Sequence, residues 1–370
     1  SPTITMAQNI IYPTPPSDNT VDKYFGIEVN DPYRPLESDT AQATLAWVKA
    51  ENKITTDYLS KIPFRAKLLN RMKELANYEK YSAPWYNKHT QKWYFYRNNG
   101  LQNQSVLYVM NRLGDEKKAQ IFLDPNKLST DGTVALKSIS FSNNGKYAAY
   151  AISRSGSDWQ EFYVIDTNSG KLLNDHIKWA KFSNAAWLGD GFYYSAYDAP
   201  SPGNELSNVN SVQKIYYHKI GTPQSEDILF YQNPEQPMRF YTLGVNEDET
   251  MMFLIESGAG QGNGLYVRNL KQEGSQFIQL NANLEAQCNP IKTIGDKIYI
   301  LTNEKAPTNK LVVTDIHHPS KADWKTVIPA NSNVLEDVAF VDGKLILTYM
   351  QDAYSHSYLY SIDGKQLKEI

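Results

Sequence analysis

The stretch SISFSNNGKYAAYAISRSGSDWQEFYVIDTNSGKLL, residues 138–173, decides the fold. It consists of an apolar run, the turn Asn144-Gly145, a strand, a variable loop and a second strand rich in aromatic residues. Asn-Gly readily adopts the positive φ angles of tight hairpins. The stretch therefore predicts a small antiparallel unit built from consecutive hairpins.

The same order of features recurs along most of the chain. The segments that share it are residues 85–111, 138–173, 185–221, 241–270, 293–316 and 337–367. Turns mark the period at Asn144-Gly145, Asp190-Gly191, Glu247-Asp248, Gly295-Asp296 and Asp342-Gly343, about 45–57 residues apart. A four-stranded unit that repeats at this period is typical of a β-propeller, whose blades bury their faces only against neighbouring blades. A pair of β-sandwiches is the alternative.

The chain before residue 79 has a different texture. Residues 9–38 are rich in proline, which forbids a regular helix there. Residues 39–78 predict two helices, the first capped by Thr40 and the second starting after Pro63. The predicted apolar stripes consist of Trp47, Ile54, Tyr58, Leu68, Met72 and Leu75.

Composition excludes several classes of partner. Lys plus Arg is 37 and Asp plus Glu is 40, so bulk charge supports neither nucleic-acid binding nor an anionic membrane surface. No apolar run reaches 18 residues, and we expect no membrane partner. Cys288 is the single cysteine, which excludes an internal disulfide and a cysteine-based zinc cluster.

No complete catalytic set is visible in the sequence. Ser155-Gly156-Ser157-Asp158 lies between two strands, so it cannot form the strand-turn-helix elbow of a nucleophilic serine. The histidines lack metal-ligand spacing, and the glycine-rich residues 258–264 join strand to strand. We interpret Glu226-Asp227 and Glu247-Asp248 as solvated turns and Cys288 as a buried, inert thiol. We expect no catalytic residue, no metal and no cofactor in this chain.

Several stretches, taken together and in order, resemble the prolyl oligopeptidase (prolyl endopeptidase) family of serine peptidases. They are YPTPPSDNTVDKYFGIEVNDPYRPLE (12–37), WVKAENKITTDYLSKIPFR (47–65), GLQNQSVLYV (100–109), FLDPNKLSTDGTVAL (122–136), FSNNGKYAAYAISRSGSDW (141–159), KIYYHKIGTPQSEDILF (214–230) and ADWKTVIPANSNVLEDV (322–338). The resemblance implies a mainly β chain: a seven-bladed type of β-propeller, with about six blades present, inserted near the start of an α/β-hydrolase domain. Residues 1–78 would then be the amino-terminal segment of the hydrolase domain, and residues 79–370 a propeller truncated before its last blade.

The resemblance also implies an activity for the whole enzyme. Such an enzyme cleaves short proline-containing peptides after proline with a Ser/Asp/His triad. We expect the triad in a carboxy-terminal hydrolase domain beyond residue 370, so this chain alone is expected to be inactive. Its partners would be short proline-containing peptides and that hydrolase domain.

Two residues match substrate-side positions of the family. Phe182, in KWAKFSN, matches a phenylalanine that helps enclose bound peptide, and an ordinary blade aromatic is the alternative. Asp158, in SGSDW, matches an acidic residue near the domain interface, and a hairpin cap is the alternative. Glu256 falls where some relatives carry a basic residue, so no role is transferred to it.

Two other readings of the chain remain open. It could be a stand-alone propeller that binds a peptide or protein without catalysis, or a related peptidase with another specificity. Exposed groups in the lead-in would favour a partner domain; the candidates are Tyr24, Phe25, Tyr33, Trp47 and Leu68. SPTITMAQ, residues 1–8, resembles the end of a signal-peptide region, which favours a periplasmic over a cytoplasmic location. The alternative is a start at Met6.

Overall fold

The structure is a computed structural model that describes residues 10–370. Residues 1–8, on which the expectation of export depends, lie outside the described residues, so export stays a prediction. Within the described part of the chain, no helix is both long and apolar enough to cross a membrane. The chain divides into two compact units. One contains the described residues up to Ala83 with Tyr96–Ser105 and Ala199–Val209, and the other contains the rest of the described chain.

The first unit combines a hairpin with two helices. The hairpin consists of β1 (Val21–Tyr24) and β2 (Ile27–Asn30). A 3₁₀ helix, Arg34–Glu37, follows, and its Pro35 occupies a position where a missing N–H costs nothing. The helices are α1 (Gln42–Ser60) and α2 (Arg65–Ala76), as the apolar spacing predicts.

Some details of this unit differ from the sequence prediction. Ala41, and not Thr40, is the residue that precedes α1, and its side chain makes no capping bond. Trp47 is half-buried and donates from Nε1 to the carbonyl oxygen of Pro13 at 3.3 Å, so it does not belong to the exposed set. The predicted stripe on α2 is exposed: Leu68 is 52% and Met72 59% exposed.

The other strands form antiparallel sheets of the kind that the repeats predict. Blade 1 is built from β3 (Lys80–Tyr81), β4 (Trp85–Asn87), β5 (Lys92–Asn98), β6 (Val106–Met110) and β7 (Gln120–Leu123). Blade 2 is built from β8 (Val134–Phe141), β9 (Tyr147–Arg154), β10 (Trp159–Asp166) and β11 (Leu172–Lys181). Blade 3 is built from β12 (Ala186–Leu188), β13 (Gly191–Ala196), β14 (Lys214–Lys219) and β15 (Ile228–Gln232).

Three further blades complete the described repeats. Blade 4 is built from β16 (Phe240–Val245), β17 (Met251–Ser257), β18 (Asn263–Asn269) and β19 (Ile278–Asn281). Blade 5 is built from β20 (Cys288–Ile294), β21 (Lys297–Thr302), β22 (Lys310–Asp315) and β23 (Lys325–Ile328). Blade 6 is built from β24 (Val334–Val341), β25 (Lys344–Gln351), β26 (Tyr354–Ser361) and β27 (Gln366–Glu369). Short 3₁₀ helices lie in the connections at Glu116–Lys118, Pro125–Lys127, Gln224–Glu226 and Lys321–Asp323. Each predicted segment falls in one blade.

The hydrophobic core lies between successive blades. Phe162 and Ile177 of blade 2 pack with Trp187 and Phe192 of blade 3 in one buried cluster. Similar clusters join blades 3 and 4, blades 4 and 5, and blades 5 and 6. Blades 2 and 3 are also joined by backbone pairing of Ala180 with Ala196, which makes one eight-stranded sheet. The expectation that each blade buries its faces against its neighbours is confirmed for these pairs.

The turn positions are correct for some blades and shifted in others. Asp342 and Gly343 both have positive φ, 46° and 68°, as a type I′ hairpin requires. In blade 3 the positive φ of 60° belongs to Gly189, since Leu188 pairs with Gly191 across the turn. Gly191 is needed for space: a Cβ there would overlap the carbonyl oxygen of His218. In blade 4 the positive φ belongs to Glu249, which follows the predicted Glu247-Asp248.

Candidate functional site

Asp158 lies in the hairpin loop between β9 and β10. Ser155 and Gly156 have φ angles of 51° and 74°, which reverse the chain, and β10 follows directly. The interpretation of this stretch as a blade loop rather than a nucleophile elbow is confirmed. The side chain of Asp158 is exposed, and within residues 10–370 it has no ion-pair partner. It is therefore available to a partner group.

Phe182 directly follows β11 and presents half of its surface to solvent. It has a φ angle of 51°, a strained conformation for a bulky residue, and is 50% exposed. Its ring meets the Phe240 ring edge-to-face, with centroids 5.2 Å apart. The Lys181 Nζ lies 5.6 Å from the centre of the Phe182 ring. An exposed aromatic pair beside a cation can contact a peptide.

The structure places the two predicted residues at the same end of blade 2. Trp159 pairs with Lys181 across β10 and β11. Asp158 directly precedes Trp159 and Phe182 directly follows Lys181. The antiparallel register therefore brings them to one edge, although they are 24 positions apart in the sequence.

An aromatic group that the sequence analysis missed lies at this edge. The rings of Trp159 and Trp179 are edge-to-face with centroids 5.4 Å apart, and Tyr197 lies 6.3 Å from Trp159. Lys181 Nζ lies 4.9 Å from the Trp159 ring centre, within the range of a cation–π contact. Trp179 has a φ angle of 62°. Nothing in the local sequence marks this conformation, because it arises from irregular pairing of β10 with β11.

Glu256, to which no role was transferred, is part of a polar group in blade 4. Its Oε1 lies 3.6 Å from Nε of Arg239, and its Oε2 accepts a hydrogen bond of 3.2 Å from the Tyr266 hydroxyl. Arg239 directly precedes Phe240, so this ion pair lies next to the aromatic pair of Phe182.

A buried histidine network was also missed. His218 of β14 is fully buried, with Nε2 2.9 Å from Asp175 Oδ1 and Nδ1 2.7 Å from Asp227 Oδ1. The Tyr194 hydroxyl donates to Asp227 at 2.7 Å, and the Gly221 N–H donates to Asp175 at 2.6 Å. Burial alone would lower the pKa of His218, but its hydrogen bonds to the two carboxylates outweigh burial and raise that pKa to about 9.

One carboxylate of this network, that of Asp227, contradicts the interpretation of Glu226-Asp227 as a solvated turn. Asp227, interpreted as part of a solvated turn, has a side chain that is only 2% exposed and accepts two hydrogen bonds. The interpretation is wrong for Asp227 because the turn folds inward onto β14. Asp175 lies on β11, so the network connects blade 2 to blade 3.

Glu247 lies in a solvent-exposed turn, as the sequence indicates, and it also makes two ion pairs. Lys88 Nζ lies 2.8 Å and Lys292 Nζ 3.5 Å from its Oε2. Burial would raise the pKa of Glu247, but the two lysines outweigh it and hold the pKa below its usual value. Glu247 is therefore an ion-pair residue that connects turns of blades 1 and 4 with strand β20 of blade 5.

Cys288 is a structural residue. Its side chain is fully buried, its Sγ lies 3.3 Å from Thr302 Oγ1, and burial raises its pKa. The prediction of a buried thiol is confirmed. In the part of the chain that the structure describes, no cluster of three or more His, Cys, Asp or Glu side chains is arranged to hold a metal ion.

Comparison with known proteins identifies the family of this chain. A protein-family model described as "Prolyl oligopeptidase, N-terminal beta-propeller domain" matches residues 12–369. This chain belongs to the prolyl oligopeptidase family.

Relatives of the prolyl oligopeptidase family agree with this assignment. A prolyl endopeptidase of Elizabethkingia meningoseptica is 41% identical over 360 residues, which is 97% of this chain and 50% of that protein. Prolyl oligopeptidase A of Amanita bisporigera is 32% identical over 97% of this chain and 52% of its own length. A structure of prolyl oligopeptidase B from Galerina marginata, bound to a 35mer hydrolysis and macrocyclization substrate, has 30% identity and a TM-score of 0.82 over 97% of this chain and 54% of that one. The chain spans about half the length of these relatives.

Proposed function

We propose that this chain is the substrate-gating propeller portion of a serine prolyl endopeptidase. The observation that carries the proposal is the match of residues 12–369 to the propeller domain of the family, with a 41% identical prolyl endopeptidase among the relatives. The whole enzyme would cleave short peptides on the carboxyl side of proline. A serine would attack the scissile carbonyl, a histidine would move the proton, and an aspartate would orient the histidine.

We place these catalytic groups in a carboxy-terminal hydrolase domain outside the present residues. The coverage of about half of each relative supports this placement. The exposed stripe of α2, which includes Leu68 and Met72, also supports it, because such a stripe needs a covering partner. It favours a partner domain over the alternative of a stand-alone propeller that binds peptides without catalysis. Residues 1–78 would pack with that domain, and residues 79–370 would form the gate.

The edge of blade 2 that carries Phe182 and Asp158 would contact the bound peptide and the hydrolase domain. Phe182 would help enclose the bound peptide together with Phe240, because their exposed rings can pack against a proline ring. Asp158 would hold a basic group of the hydrolase domain, since its carboxylate is exposed and has no ion-pair partner within residues 10–370.

Hydrolysis of a proline-containing chromogenic peptide tests the proposal. The 370-residue chain should show neither turnover nor labelling by a serine-reactive probe, and the product of the complete reading frame should show both. In the complete protein, Phe182→Ala should raise KM about tenfold, the effect of losing roughly 1.4 kcal/mol of contact. Tyr354→Ala is the matched control, since Tyr354 is a similarly exposed aromatic in blade 6. Turnover by the 370-residue chain itself would contradict the placement of the triad.

A further inference from the structure

A cavity of about 430 Å³ lies on blade 2, on the face that turns away from blade 3. Glu161 and Tyr163 line it, whereas Phe162 between them belongs to the core shared with blade 3. The alternation of side chains along β10 therefore gives this blade one face for packing and one face for the cavity.

An ion-pair group fixes the polar side of the cavity. Glu161 accepts a hydrogen bond of 2.6 Å from Arg154 Nε and one of 3.0 Å from the Tyr163 hydroxyl, and its Oε2 lies 2.6 Å from His176 Nε2. Arg154 Nη2 also donates to the Tyr163 hydroxyl at 3.4 Å, so the guanidinium is oriented through two nitrogens, and the Arg154 side chain stays half-exposed, at 51%. The cavity therefore presents an ordered cation.

A second cation lines the same cavity without being neutralised. Lys178 is exposed, and among the residues that the structure describes it makes no ion pair. Gln224 holds its backbone, accepting from the Lys178 N–H and donating to the Lys178 carbonyl oxygen, both at 2.9 Å. Because Glu161 is the single acidic residue of the lining, Arg154 and Lys178 leave the cavity with a positive balance.

The apolar side of the cavity is an aromatic corner. Trp159 and Trp179 line it and meet edge-to-face at 5.4 Å. Trp179 is held there at a φ of 62°, a conformation that a bulky residue adopts only when its surroundings impose it. A ring that enters this corner would meet the face of one indole and the edge of the other.

We propose that this cavity binds the carboxyl terminus of a short peptide whose last residue is proline. The proline ring packs in the corner of Trp159 and Trp179, and the terminal carboxylate pairs with Arg154 and Lys178. The choice of proline rests on the proposed function, because cleavage after proline releases peptides that end in a prolyl carboxylate. The cavity is then a product site on the propeller, beside the edge that carries Phe182, and Trp159 borders both.

The test is a calorimetric titration of the 370-residue chain with acetyl-Gly-Pro as the free acid. Saturable binding is expected, about tenfold tighter than that of the amide acetyl-Gly-Pro-NH₂, since the amide lacks the charge-assisted bonds. Lys178→Gln should weaken binding of the acid about threefold, because Arg154 still pairs with the carboxylate, and leave binding of the amide unchanged. Lys171→Gln, an equal loss of charge on the same blade, is the matched control.

A second variant shows whether a loss of binding comes from the missing indole or from misfolding. Trp179→Gly removes the indole at a backbone conformation that glycine adopts freely, so the chain should still fold and give an unchanged far-ultraviolet circular dichroism spectrum. Binding of the acid should be lost. Equal affinity for acid and amide, an unaffected Lys178→Gln or Trp179→Gly variant, or no binding at all would overturn the proposal. Proline-peptide hydrolysis by the complete protein is measured separately, so loss of hydrolysis with retained binding would refute only the proposed function.

Discussion

The buried network around His218 makes stability depend on pH in a defined direction. The pKa of His218 is raised from 6.5 to about 9 in the folded chain, against the effect of burial, by hydrogen bonds with Asp175 and Asp227. Because the raised pKa belongs to the folded state, the stabilisation is fully present below about pH 6.5 and is lost as pH rises through about 9. A rise of this size corresponds to about 3 kcal/mol.

Urea denaturation of the wild type and of His218→Gln between pH 7 and pH 10 measures this contribution. The difference in free energy of unfolding between the two proteins should shrink by about 2.5 kcal/mol across that range, since part of the stabilisation is already lost at pH 7. His317→Gln is the control, since His317 is an exposed histidine that pairs with Asp296 at 3.2 Å, and its curve should parallel the wild type. NMR titration of the His218 ring gives the pKa without any substitution. Parallel curves for wild type and His218→Gln, or a ring that titrates near 6.5, would refute the reasoning.

Further predictions concern single contacts. In urea denaturation, Gly191→Ala should lower the free energy of unfolding by about 1–3 kcal/mol, because the new Cβ would overlap the His218 carbonyl. Gly189→Ala has open space and should lower it by about 1 kcal/mol, because Gly189 has a positive φ; equal losses for the two variants would contradict this. The Cys288 thiol should react with a disulfide reagent in urea but not in buffer, since it is fully buried with a raised pKa; rapid reaction in buffer would exclude a packed core there. Glu247→Gln should cost less than about 1 kcal/mol, and less again in 1 M salt, since its ion pairs are exposed to solvent; a larger, salt-independent loss would indicate a buried role.

The blades could be predicted from the sequence because their signals are local. Hairpin turns and aromatic strands recur at a fixed period, and the segment at 138–173 corresponds to β8–β11 almost strand by strand. The turn in blade 3 was misplaced by one position, at Asp190-Gly191 instead of Gly189-Asp190, since Gly189 and Gly191 are both compatible with a turn in sequence. Only the pairing of Leu188 with Gly191 shows that Gly189 lies in the turn and that Gly191 packs against the neighbouring strand.

The candidate sites could be predicted only in part, because most of their contacts join distant residues. Asp175 and His218 are 43 positions apart, and no pattern connects them. Phe182 and Asp158 were found through resemblance to a family, and their place at one edge of blade 2 follows from the strand register. Trp179 was missed because its conformation depends on irregular strand pairing.

The pairing of Ala180 with Ala196 has a dynamic consequence. Blades 2 and 3 share one β-sheet, a hydrophobic cluster and the charged histidine network, whereas each other described blade forms a sheet of its own. Partial unfolding of a protein begins where its structural units are least stably joined. Amide hydrogens of β8–β15 should therefore exchange with solvent as a single cooperative foldon, and any breathing of the propeller that admits a peptide should separate other blades while this pair remains closed.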